Sequence, residues 1–345
     1  MASCYCRPSS PTSTIASPLP SSRLRAVSRS HSDRRIKDNH HDHARQNQTS
    51  AGGHSHGLSA PGLRWPGHCP RPVPEPHHGP CCPFSDLHLN SAPWTPPTDL
   101  QADIVVLAGD LNVKARGLPW PDARAMFGCD HVLAVAGNHD LFGTSIDDGM
   151  DRLRTRLASL GVTLLERDEA VVQGIRFLGC TLWTDVRLFA GADDRLVRAD
   201  AAMLVGDAYS PHMRDYRQIR VAGDGYRRLR PLDTATLHHQ SVEWLEGRLA
   251  APHTGPTIVV THHAPSARCL PAWAQQDRWS CAYASHLDWL VERYQPDAWC
   301  YGHIHDPPPN LAVGRTPLWA NPRGHGDSIH DHNPSFDPYG LQQEF

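Results

Sequence analysis

Several familiar signals are absent from this chain, and each absence excludes something. No apolar run approaches the roughly 18 residues that a membrane span needs, so no segment reads as a transmembrane helix. The 10 cysteines include no Cys-x-x-Cys pair, which removes the usual mark of a thiolate zinc site or a redox motif. The formal net charge over 345 residues is only -3. No global field therefore pulls the chain toward nucleic acid or an acidic lipid surface. The folded part shows no long basic tract, so nucleic acid is not the expected partner. What the chain has in excess is histidine, 24 residues, and proline, 31 residues.

Residues 1–83 are rich in Ser, Pro, Arg and His and follow no sustained period. Such a composition cannot bury enough apolar surface to offset the entropy of ordering. A disordered low-complexity segment is expected here. The first acidic residue is Asp33, and a Ser- and Arg-rich, acid-free start is the composition of an organelle transit peptide. An out-of-frame stretch is a third reading. His40, His41, His43, His54 and His56 read as part of a solvated tail. Cys4, Cys6, Cys81 and Cys82 fall outside the expected core. Cys180, Cys281 and Cys300 sit in apolar contexts, as reduced buried thiols of a cytoplasmic protein do.

Order is expected from about Pro83, with a single domain over 84–345. Short apolar runs read as strands at 103–108, 131–136, 162–165, 170–172, 175–178, 256–261 and 297–301, with a closing hairpin at 311–313 and 318–320. Helices are expected at 118–127, with Pro119 or Pro121 in the first turn, and at 147–160, capped by Asp147. Others are expected at 193–205, at 233–249 from an Asp233 cap, and at 285–294. Strands alternating with helices give an α/β fold. Residues 185–230 are polar, Arg-rich and broken by glycine, and read as an inserted loop or cap near a site.

One grammar recurs five times: an apolar strand, then Gly or Thr or a short lead-in, then polar donors. The donors are Asp86 and His88, then Asp110, then Asn138, His139 and Asp140, then His262 and His263, then His303 and His305. In an extended segment residues i and i+2 share a face, so Asp86 and His88 can serve one site. Ligands of open α/β sheets bind beyond the carboxyl ends of strands, where all five sets would converge. Carboxylate, amide oxygen and imidazole without thiolate suit Mn, Fe, Zn or Ni. The donors are too many for one ion, so two adjacent divalent metal ions are expected, the arrangement that clamps both oxygens of an in-line displacement.

The series Asp86-x-His88, Gly109-Asp110, Gly137-Asn138-His139-Asp140, Thr261-His262 and Gly302-His303-x-His305 resembles the calcineurin-like metallophosphoesterases. Trp183-Thr184-Asp185, the stretch from Thr261 to Ser266 and Ala320-Asn321-Pro322-Arg323-Gly324 further resemble a bacterial branch of them. The resemblance implies two mixed β-sheets packed as a sandwich and flanked by helices. It implies that Asp86, His88 and His305 hold one ion, that Asp110 bridges, and that Asn138, His262 and His303 hold the second, with His263 lining the site. It further implies hydrolysis of a small phosphoester, monoester or diester, by a hydroxide held between the ions. His139 would steady the developing charge or protonate the leaving oxygen, and Asp140 would orient that imidazole. Arg323, or an arginine from 216–230, would hold the phosphate. A nuclease and a non-catalytic metal-binding scaffold are the rival functions. One departure stands out. The lead-in to Asp86 is Pro80-Cys81-Cys82-Pro83-Phe84, whose two prolines predict a poor central strand and loosely held Asp86 and His88.

Overall fold

β-Branched and aliphatic runs that are buried on both faces become parallel strands, and they set the architecture here. The computed structural model describes residues 80–206, 213–326 and 333–340. The expectation of a disordered tail lies outside the described residues as far as position 79.

The strands are β1 (Cys81–Phe84), β2 (Ile104–Ala108), β3 (His131–Val135), β4 (Val162–Leu165), β5 (Asp168–Val172), β6 (Ile175–Cys180), β7 (Arg220–Val221), β8 (Arg227–Arg228), β9 (Thr257–Thr261), β10 (Ala298–Cys300), β11 (Leu311–Val313) and β12 (Thr316–Trp319). The helices are α1 (Ala123–Phe127), α2 (Ile146–Ala158), α3 (Asp194–Val205), α4 (Asp215–Gln218), α5 (Pro231–Ala250) and α6 (Asp288–Tyr294). A four-stranded sheet runs β1-β2-β3-β4 and a six-stranded sheet runs β11-β12-β10-β9-β6-β5. The first is parallel throughout. The second is mixed, because β5 and β11 pair antiparallel at its two edges.

The sheets face each other across Cys81, Ile104, Val106, Leu133 and Val135 on one side and Phe177, Ile258, Val260, Ala298 and Cys300 on the other. Alternate residues of the same strands point outward. Phe84, Val105, Leu107 and Val132 pack with Phe127, Leu153 and Leu157 of α1 and α2. Leu178, Val259 and Trp299 pack with Leu245, Leu290 and Val291 of α5 and α6. The period of two thus divides each buried strand between two cores. The thiols at 81, 82, 129, 180, 269, 281 and 300 are free and buried. Cys81 and Cys82, expected outside the core, lie inside it. Among the described residues no helix is long and apolar enough to cross a membrane.

Helix ends differ from expectation where the backbone finds other partners. Ser145, rather than Asp147, caps α2, its Oγ accepting from the Asp148 N–H at 3.1 Å. α1 begins after both prolines, with Asp122 accepting from the Ala125 N–H. Residues 285–287 stay out of α6 because Ser285 and Leu287 donate to the carbonyls of Ala264 and Pro265. In α5 Pro231 takes the first position, where its missing N–H is no loss. Asp233 accepts from the Arg230 N–H at 2.8 Å and pairs with Arg227.

The largest correction concerns the lead-in to Asp86. Residues 81–84 do form a strand, fully buried and parallel to β2. Proline is tolerated because β1 is the outermost strand of its sheet. The Pro83 carbonyl accepts from Asn321 Nδ2 at 3.1 Å. A strand residue directs its N–H and C=O to the same side, so the missing N–H of Pro83 faces outward. The segment after β12 covers that edge, with the Ser85 N–H donating to Asn321 O and the Arg323 N–H to Ser85 O. Asp86 and His88 are held firmly, their N–H groups donating to Gly109 O and Asp110 O, both at 3.0 Å.

Asn321 carries this edge. Its amide donates to Pro83 O and Asp337 O, and its oxygen accepts from the Asp337 N–H. Replacing Asn321 by Ala should lower stability by about 2–3 kcal/mol, the cost of stranding buried partners, read from urea denaturation. A change below about 0.5 kcal/mol would mean that the edge holds without it.

Candidate metal centre

Strands β1, β2, β3, β9 and β10 point the same way within their sheets, so the loops after them emerge along one margin of the sandwich. The polar sets follow in those loops. Their approach needs glycine: a Cβ at Gly137 would run into Asp110 Oδ1, and one at Gly109, whose φ is +89°, into the His262 ring. Four of the donors themselves sit in the left-handed region, Asp86 at φ 52°, His88 at 42°, Asp110 at 58° and His303 at 67°. Each such residue costs about 1–3 kcal/mol and persists only where its surroundings over-determine it.

His262 shows what the arrangement is suited to hold. Its Nδ1 lies 2.9 Å from Ala108 O, so that nitrogen carries the proton. Nε2 then presents a lone pair, yet it faces Asn138 Oδ1 at 2.9 Å and Asp110 Oδ1 at 3.4 Å. The Asn138 amide cannot turn to donate, because its Nδ2 is committed to Asp215 Oδ1 at 2.8 Å. Nearby, buried His303 Nε2 has no hydrogen-bond partner. Ligand atoms of Asp110, His262 and His303 lie within 4.8 Å of one another. Lone pairs converging without a proton between them fit a cation, and the donor set of imidazole, carboxylate and amide oxygen fits a divalent one.

Asp110 links this group to its neighbours. Its other oxygen, Oδ2, is 3.7 Å from His88 Nε2. Further along, His88 Nε2 is 3.2 Å from His305 Nε2, and His305 Nε2 is 3.3 Å from Asp86 Oδ1. Ligand atoms of His88, Asp110 and His139 form a second close group, and those of His88, His305 and His325 a third. Burial first, and neighbouring imidazoles next, push His88, His139 and His303 well below the usual histidine range. These rings are therefore neutral, the form that ligates metal. Burial, with the charges of Asp86 and Asp140, pushes Asp110 well above the carboxylate range, a penalty that a bound cation reverses. Burial also pushes Asp86 up, but the His305 hydrogen bond and the nearby imidazoles hold it below its ordinary value.

The margin thus brings together Asp86, His88, Asp110, Asn138, His262, His303 and His305. His263 adjoins the set: its Nδ1 is 3.2 Å from Thr181 O, and its ring stands 4.5 Å from that of His303 and 5.1 Å from that of Trp183, centroid to centroid. His139 packs edge-on to His88 at 4.7 Å and stacks on Phe142 at 4.1 Å. Asp140 does not orient that ring as expected. Its Oδ1 accepts from the N–H groups of Leu111 and Asn112, and its Oδ2 from those of Asp110 and Gly137. Burial pushes its pKa up to about 6 against those four bonds. Arg323 is likewise committed elsewhere, donating to the carbonyls of Leu87, Ala92 and Pro93, which replaces its expected role as a phosphate holder.

Two residues escaped the sequence reading. Asp215, in the poorly patterned 185–230 segment, fixes the Asn138 amide from 77 positions away. No spacing announces such a contact. His325 stacks on His88 with ring centroids 3.9 Å apart. A signal did exist for it, since β12 followed by Gly324-His325 repeats the strand-then-Gly-His grammar. Replacing Asp215 by Ala frees the Asn138 amide and should weaken divalent-metal affinity about 10- to 100-fold in chelator competition, with the fold retained. Unaltered affinity would remove Asp215 from the centre.

No curated protein matches the chain by sequence. Among solved structures, a phosphopantetheinyl hydrolase from Mycobacterium tuberculosis aligns over 72% of this chain and 90% of its own, at 16% identity and a TM-score of 0.50. At that identity the likeness concerns the fold alone. A second solved structure, at 10% identity over 70% of this chain and 90% of its own, has a TM-score of 0.37 and carries no argument. The family model for calcineurin-like phosphoesterases matches residues 84–307, a span that runs from the last residue of β1 through β10 and takes in every polar set from Asp86 to His305. By that match, the chain belongs to the calcineurin-like phosphoesterase family.

Proposed function

We propose that this chain is a metal-dependent hydrolase of phosphoesters, working through two divalent cations held side by side. The observation that supports it most directly is the convergence of His262 Nε2, Asn138 Oδ1 and Asp110 Oδ1 with the unpartnered His303 Nε2. Asp86, His88 and His305 would hold the neighbouring ion. Asp110, with one oxygen toward His262 and the other toward His88, would be shared between the two. Bound cations of this kind lower the pKa of water toward neutrality and offset the charge of phosphoryl oxygens.

The chain's own groups supply the rest. Asp215 keeps the Asn138 amide oxygen turned inward. Asp140 holds the N–H groups of residues 110–112 and 137 in place, so the loops after β2 and β3 keep their relative position. His139 stands beside His88 with its backbone N–H on Asp110 Oδ1 at 2.8 Å. Buried and neutral alone, its imidazole is stabilised as the cation by an incoming phosphoryl group and can then pass a proton to the leaving oxygen. Arg214 lies over the Phe142 ring, 5.5 Å from its centroid, and Phe142 in turn stacks on His139. That half-buried guanidinium is the proposed holder of the remaining phosphoryl charge. A small phosphoester, reaching the margin between the loops, is the substrate class this arrangement suits.

Turnover of an aryl phosphodiester and an aryl phosphomonoester by protein loaded with two equivalents of Mn2+ or Zn2+ tests the reading. The His139→Ala variant should keep its metal yet lose about 10²- to 10⁴-fold in kcat. Absence of turnover by fully loaded wild type on either ester would favour the scaffold reading instead.

A further inference from the structure

His325 lies beyond residue 307, where the family match ends, yet it is built into the centre. It is 8% exposed. Its ring stacks on His88 at 18° and stands 5.4 Å from His305 and 5.5 Å from His139, centroid to centroid. Ligand atoms of His88, His305 and His325 all fall within 4.8 Å of one another.

The backbone around it is fixed for that placement. Arg323, two residues before, anchors the segment to the loop that carries His88 by donating to Leu87 O at 2.7 Å and Ala92 O at 3.0 Å. Gly326 takes φ +69° and lies against Ala92, where a Cβ would meet the Ala92 Cβ at 2.6 Å. An imidazole pinned from both sides against two others is placed as a donor, whereas a ring needed only for packing would face the apolar clusters.

We propose that His325 is a third imidazole ligand on the His88 and His305 side of the centre, so that this side takes zinc or iron(II) in preference to manganese. Without His325 the two sides match, each with two imidazoles and two oxygen donors: Asp86, Asp110, His88 and His305 on one, Asp110, Asn138, His262 and His303 on the other. His325 breaks that balance toward nitrogen. Imidazole suits zinc and iron, and oxygen donors suit manganese. The inference rests on the reading of these residues as a metal centre and concerns which ion occupies one half of it.

Metal-stripped full-length protein titrated with Zn2+ and with Mn2+ against a chromophoric chelator tests it. His325→Phe keeps a flat ring to stack on His88 but removes the nitrogens. In that variant one of the two zinc equivalents should weaken about 10- to 100-fold, and manganese affinity should change much less. A zinc titration identical to wild type would overturn the proposal and leave His325 as a stacking residue. His325→Cys supplies a direct spectroscopic readout, which also decides the matter should the Phe variant fail to fold. Loaded with Co2+, it should gain a thiolate-to-cobalt charge-transfer band absent from wild type, and absence of that band in folded, cobalt-loaded protein would overturn the assignment. Neither measurement depends on turnover. An inert enzyme with two zinc ions bound would defeat the hydrolase reading alone, and an active one with an unchanged His325→Phe titration would defeat this inference alone.

Discussion

One buried carboxylate holds the rest of the centre in register. The two oxygens of Asp140 accept four backbone N–H groups, three from the loop after β2 and one from the loop after β3. Asp110 is on the first loop and Asn138 and His139 are on the second, so their separation is set by Asp140. A side chain can brace two loops more tightly than solvent could, because each oxygen takes two donors at once and water is excluded. The strain in the surrounding backbone, with Asp86, His88, Asp110 and His303 all at positive φ, needs a brace of this kind to persist.

Much of this was legible in the sequence, and the reasons are local. Apolar runs of four to six residues gave the strands that frame the centre, and the donors stand within a few residues of their ends. What was not legible depends on contacts between distant segments. Asp140 reads as a natural partner for the adjacent His139, and nothing in a Gly-Asn-His-Asp string reveals that its oxygens serve residues 110–112. Asp215 sits in a polar segment without period, yet meets Asn138 inside the fold. The two prolines before Asp86 argue against a strand only if that strand is central. Its place at the edge is a matter of topology, which local pattern does not carry. Helix α2 moved its cap from Asp147 to Ser145 for a related reason, since both residue types cap well and the tertiary setting chooses.

Charge is distributed unevenly across the centre. Its imidazoles are neutral because burial disfavours their charged forms, while its carboxylates stay crowded together. Neutral imidazoles with free lone pairs beside crowded carboxylates are well suited to hold cations. The C-terminal segment contributes as much as the loops do: Asn321 covers the edge of β1, Arg323 fixes the loop of His88, and His325 stacks on His88 itself.

That last arrangement has a consequence for biosynthesis. The Pro83 carbonyl waits for an amide 238 residues later in the chain. At ordinary translation speeds of about 5–20 residues per second, β1 emerges from the ribosome roughly 10–50 s before its covering segment exists. Throughout that interval the outer edge of β1 is unsealed and the loop of His88 lacks its arginine anchor. The nascent chain therefore carries an open sheet edge and an unfinished centre until residues 321–325 arrive, and a ribosome stalled before codon 321 leaves a product with most of the fold's strands and an unsealed site.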